Sequence, residues 1–307
     1  MTESTTPSPG SSLALRVERI EAQPLRELGD KSGLVAGTKR AFVDVWNRRE
    51  LLRLLINREL KARYKDSNLG FVWSLFKPLS QLLIYFIVIG QFLGAARGIP
   101  SFAIFVFTGL TAWGFFLEAV TGGTGSIVAN SGLVKKVYLP REIFPLSTLG
   151  TSAVNSAIQL GAILVTGSLP SVAQLAYLPF ALIVLVVYAT LFGLLLSALN
   201  VYMRDIQHLI EVITFLAFWA SPIVYSYSYV QKALETNYPI AHEIYLSNPV
   251  TLAILGFQKS LWAAGVDQPY PSHLMIRLVL AALVGVVLIF GAHRVFARLE
   301  GNFAQEL

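Results

Sequence analysis
The 307 residues are 54% hydrophobic and 14% charged, contain no cysteine and have a mean hydropathy of +0.60, a composition outside that of soluble globular chains and fitting an integral membrane protein. Without cysteine, disulfides and thiolate metal sites are excluded. The formal charge of +6 flanks apolar segments instead of forming a soluble basic domain, which argues for membrane topology and against nucleic acid.

Residues 1–12 are Ser, Thr, Pro and Gly with little to bury, and residues 1–40 read as a flexible cytoplasmic tail with no signal-peptide run. GDKSG at 29–33 ends like a phosphate loop, but Leu25 and Asp30 stand where that loop needs glycines. Any nucleotide hydrolysis must therefore come from another chain. Residues 41–73 form an amphipathic interface region. At about 100° per residue, Arg53, Asn57, Arg58, Lys61 and Lys65 share one arc, while Leu51, Leu52, Leu55, Ile56 and Leu60 share the other. Such a helix lies on the cytoplasmic membrane surface. Glu59 and Arg63 fall in the apolar arc four residues apart, acid first, as a snorkelling ion pair or a face for a protein partner.

Apolar spans follow at about 79–94, 101–121, 144–167, 174–199, 209–227 and 274–296, most near the roughly 20 residues a bilayer requires. The expected fold is an all-α integral membrane protein with six transmembrane helices within residues 74–298. An even number of spans puts both termini on one side. With that side cytoplasmic, twenty of the 24 Lys and Arg residues lie inside, leaving Arg97, Lys232, Lys259 and Arg277 outside or at the outer edge.

Between the second and third spans, residues 126–147 form a polar island carrying Lys135, Lys136 and Arg141, broken by Pro140 and Pro145, with a short helix expected over about 131–137. It reads either as a solvated loop or as a docking element for a soluble partner. Residues 228–273 form an external region of short re-entrant helices between spans five and six, one opening at Asn248-Pro249 with a capping amide and proline at the first helical position. Residues 299–307 are a cytoplasmic tail too short to be a domain.

The spans hold few ionisable groups, Glu118 and Glu211 near their inner ends, unlike a proton- or ion-coupled carrier. His208, His242, His273 and His293 lack ligand spacing, and no acidic pair marks a catalytic centre. Aromatics dominate instead: Phe215, Phe218 and Trp219 share a face of span five, and Gln81, Tyr85 and Phe92 one of span one. These stripes are packing faces or the wall of a sugar conduit. Asn155 and Gln159, four apart, suit contact with another helix.

Four segments in order, NRELKARYKDSNLGFVWSLFKPL from Asn57, VKKVYLPREIFPLS from Val134, NVYMRDIQHLIEVITFLAFWASPIVY from Asn200 and NPVTLAILGFQ from Asn248, resemble the membrane subunit of ABC-type polysaccharide and teichoic-acid exporters over about residues 46–296. The resemblance implies a homodimeric permease in the bacterial cytoplasmic membrane, paired with two copies of a separate ATPase that binds ATP and Mg, with no cofactor in this chain. It implies export of a lipid-linked glycan. By position, Lys135, Lys136, Pro140, Arg141, Glu142, Arg204 and Asp205 would couple to the ATPase. Arg58, Lys61, Arg63 and Lys65 would flank lipid-diphosphate entry, and Gln81, Tyr85, Phe92, Phe215, Phe218 and Trp219 would line the glycan channel and gate. An exporter of drugs or small lipids would share the loops without a sugar-lined conduit. A membrane glycosyltransferase would need clustered acids near the headgroups, which the sequence lacks.

Overall fold
The computed structural model describes residues 34–64, 72–137, 139–166 and 170–307, which hold helices and no strand. Helix α1 (Leu34–Asn47) begins inside the expected tail, and a break at Arg48 separates it from α2 (Arg49–Tyr64). The interface region is therefore two helices where one was expected. Its amphipathic pattern is real: Val45 and Leu55 are buried, while Arg53, Arg58 and Lys61 are exposed.

Among the described residues, five helical segments are long and apolar enough to cross a membrane. The first is α3 (Trp73–Tyr85), continued by π-helical turns over Phe86–Phe92. Next come α4 (Phe102–Ala129) and, after the short α5 (Ser131–Lys136), α6 (Ile143–Thr166). The fourth joins α7 (Val172–Leu175) to α8 (Tyr177–Tyr202), and the last is α13 (Leu274–Leu299). The chain is thus a multi-pass, all-helical membrane protein. Where a sixth full span was expected at 209–227, α9 (Ile206–Trp219) has only 14 residues. Ser221 and Pro222 end it, because proline lacks the N–H that would continue the ladder and restricts the residue before it.

Helices α4 and α8 form the centre. A Cβ on Gly123 would stand 3.1 Å from the Cα of Gly193, so these two backbones approach as only small residues permit. Between α9 and α13 lie α10 (Tyr227–Val230), α11 (Pro239–Leu246) and α12 (Pro249–Leu261). The start of α12 follows the sequence: Asn248 Oδ1 accepts from the Val250 N–H at 3.0 Å and Pro249 takes the first turn. Its residues are nearly all buried against α4, α8 and α13. Protein also shields the irregular backbone at 221–226, where Gln258 Nε2 donates to the Pro222 carbonyl at 2.7 Å.

The main core joins α4, α8, α12 and α13. A second cluster lies where α2, α5 and the loop after it meet the adjoining ends of α4, α6, α8 and α13 with the final short helix α14 (Phe303–Glu306), around Leu55, Val134, Phe144, Val201, Phe296 and Phe303. Leu299, Phe303 and Leu307 thereby hold this last segment against the fold.

Candidate functional site
A cavity of about 840 Å³ opens between α3, α4, α6 and α9. One part of its wall is polar. Glu118 on α4 receives the Asn155 amide from α6 at 2.9 and 3.2 Å, and the Arg63 guanidinium from α2 pairs with the same carboxylate. Gln159, one turn beyond Asn155, also lines the cavity, and its buried Oε1 has no hydrogen-bond partner among the described residues. Three helices thereby place one carboxylate, one cation and two amides together where hydrocarbon alone would leave them unsatisfied.

The rest of the wall is aromatic. Tyr85 on α3 stacks on Phe218 of α9, with centroids 5.9 Å apart and planes 24° apart. Trp113 of α4 meets Phe218 edge-on at 5.8 Å, and Trp219 does so at 5.4 Å. These offset and edge-on arrangements satisfy the ring quadrupoles. The surface combines flat apolar ring faces with hydrogen-bond acceptors, and so suits a polyhydroxylated, C–H-faced molecule.

The residues expected at a channel and its entrance divide. Arg63, Gln81, Tyr85, Phe215, Phe218 and Trp219 line this one cavity. Phe92 lies on the π-helical end of the first span, 79% exposed and away from the lining. Arg58 donates to Asn130 Oδ1, tying α2 to the start of α5. Lys61 is exposed, and Lys65 lies outside the described residues. Arg63 engages Glu118 of α4, and Glu59 accepts from Ser147 at 2.7 Å and Thr151 at 3.0 Å on α6. The expected Glu59–Arg63 pair is replaced by anchors to two separate spans. Trp113 was missed, since nothing in an apolar helix distinguishes a ring that faces a cavity.

The expected coupling residues divide as well. Lys135 and Lys136 end α5, and Arg204 and Asp205 occupy the turn after α8; all four are exposed. Pro140 is half-buried, its carbonyl receiving the Ile143 N–H at 3.2 Å. The next two residues turn inward. Arg141 donates to the Glu300 carbonyl, and buried Glu142 lies 3.3 Å from His293 Nε2, whose Nδ1 is 3.0 Å from the Thr38 hydroxyl of α1.

Residues 50–262 match the family model of the ABC-2 type transporter. The O-antigen export system permease protein RfbA of Myxococcus xanthus is 28% identical over 271 residues, covering 87% of this chain and 99% of that protein. A Klebsiella pneumoniae protein of the same name is 27% identical over 262 residues, covering 84% and 95%. The polysialic acid transport protein KpsM of Escherichia coli is 28% identical over 95 residues, covering 31% of this chain and 35% of that protein. The cavity, the multi-pass helical fold and a family match spanning more than half the length agree: this chain belongs to the ABC-2 type transporter membrane family.

Proposed function
We propose that the chain is the permease subunit of an ATP-driven exporter that carries a polyprenyl-diphosphate-linked polysaccharide outward across the bacterial cytoplasmic membrane. The cargo is of the O-antigen, teichoic-acid or galactan kind. The permease works as a homodimer with two copies of a cytoplasmic ABC ATPase, performs no covalent chemistry itself, and keeps both termini in the cytoplasm. Helix α9, with the irregular segment after it, serves as the sixth crossing. Residues 228–273 then lie on the outer side.

The observation that carries this reading is the cavity wall, where Tyr85, Trp113 and Phe218 stand beside Glu118, Asn155 and Gln159. Ring faces against sugar C–H surfaces and acceptors for hydroxyls give weak, repeated contacts, as a moving polymer needs. The names of the relatives supply the polymer class. The exposed cations Lys135 and Lys136, with Arg204 and Asp205, form the ATPase-facing surface. Closure of the ATPases pushes α5 and the following loop, and the α3–α9 contact opens.

Depleting the chain in its own cells should accumulate lipid-linked polymer on the cytoplasmic side while surface polymer disappears. Co-reconstitution with the ATPase should restore ATP-dependent export. Unchanged surface polymer after depletion would refute the assignment, and translocation by the purified chain without an ATPase would refute the mechanism.

A further inference from the structure
Arg141 and Glu142 are consecutive, yet they hold two different parts of the chain's last segment. Besides donating to the Glu300 carbonyl, the Arg141 guanidinium lies 5.5 Å over the ring of Phe303, a cation–π contact. Glu142 meets His293, almost three helical turns earlier. From the other side Tyr202, which ends α8, donates its hydroxyl to the Leu299 carbonyl at 2.7 Å and sets its ring edge-on to Phe303 at 6.2 Å. Phe303 is fully buried, with Phe296 edge-on at 5.6 Å. One ring is thus enclosed by the end of the 130–142 loop, by the last turn of α8 just before residues 203–205, and by α13.

Helix α5 has only six residues; non-helical Asn130 (φ −106°, ψ 22°) precedes it and extended Val137 (φ −132°, ψ 133°) follows. A short rigid piece between two pliable joints transmits force only if its far end is held. Val134 on α5 packs into the same cluster as Phe303.

We infer that Phe303 is a positioning residue that fastens the 130–142 loop to the turn at 203–205, so that the two move as one body. The inference rests on the coupling role proposed above for these turns. Neither turn would deliver a push alone, and Arg141 acts as the clasp on Phe303 instead of meeting the ATPase.

Because the chain has no cysteine, spin labels at Gly132→Cys and Met203→Cys read the separation of the two turns without background. Both positions are exposed, and a Cβ at Gly132 meets no other atom within 4 Å. In the assembled complex, with labelled chain diluted by unlabelled, the distance distribution should be single and equally narrow with and without nucleotide. Phe303→Ala should broaden it and reduce export per ATP hydrolysed about five- to tenfold, with ATP turnover within about twofold of the parent. Phe303→Leu, which keeps the burial, should recover most of the coupling. If Phe303→Ala does not assemble, Tyr202→Phe removes one hydroxyl only and should broaden the distribution to a smaller degree. An unchanged distribution in either variant, or unchanged export per ATP in Phe303→Ala, overturns the inference. If neutralising Lys135 and Lys136 leaves ATPase binding intact, the coupling role of the loop fails instead; the label distance, also measurable on the chain alone, judges the clasp separately.

Discussion

Asn155 donates its amide to both carboxylate oxygens of Glu118, at 2.9 and 3.2 Å, joining α6 to α4 inside the membrane-spanning region. A carboxylate within a span is costly unless it is paired, and here Asn155 and Arg63 stabilise it. Asn155→Leu leaves Glu118 without its amide donor and should lower stability by about 1–3 kcal/mol. Asn155→Asp should be worse, since two carboxylates would then face each other. Thermal unfolding in detergent checks both, and an unchanged midpoint in Asn155→Leu would contradict the role given to this bond.

Phe218 touches three rings, those of Tyr85, Trp113 and Trp219. Phe218→Ala should reduce surface polymer several-fold, because each aromatic pair contributes about 0.5–1.5 kcal/mol beyond area burial. Tyr85→Phe keeps the stacked ring and should export near normally. The readout is surface polymer at matched ATP turnover; full export by Phe218→Ala would take the aromatic wall out of the transport path.

The α4–α8 approach is asymmetric. A methyl at Gly123 would meet the Gly193 Cα at 3.1 Å, a backbone atom that cannot step aside, whereas a methyl at Gly193 meets only Pro145 Cβ at 3.8 Å. Gly123→Ala should therefore destabilise by about 1–3 kcal/mol, the usual cost of overpacking, and Gly193→Ala should be tolerated. Equal unfolding midpoints for the two variants would contradict this packing.

Near the start of α13, Arg277 donates to both oxygens of Glu243 on α11, at 2.9 and 3.0 Å. This contact holds the Glu243 carboxyl below its ordinary value of 4.5. A carboxyl depressed in the folded state contributes stability that is fully present above 4.5 and is lost as pH falls through the lower folded value. The unfolding midpoint should therefore fall on acidification below pH 4.5, less steeply in Glu243→Gln. Glu243 is 59% exposed, so the difference should be small and shrink with salt. Identical acid profiles for parent and variant would remove the pair as a cause.

Much of the architecture was legible because the bilayer demands long apolar helices and because caps carry local signatures. The Asn248-Pro249 start came from such chemistry. The length of α9 was hidden because the apolar run continues past Trp219, and hydropathy outweighed the stop at Pro222. The Glu118–Asn155 contact spans 37 residues, and packing, which no single helix encodes, sets the rotation that brings the two together. The tie from Arg141 to Glu300 was hidden because its acceptor is a backbone carbonyl, a group that every residue carries. The aromatic stripes were correctly grouped by period for Tyr85 and Phe218, while Phe92 sits beyond the change to π-helical turns, where α-helical period no longer places side chains.

A helix of 14 residues reaches about 21 Å at 1.5 Å per residue, some 9 Å less than a typical hydrocarbon layer. On the proposed sixth crossing the remaining depth falls to non-helical chain, and residues 221–224 can supply it because protein buries all four, sparing their backbone from contact with oil.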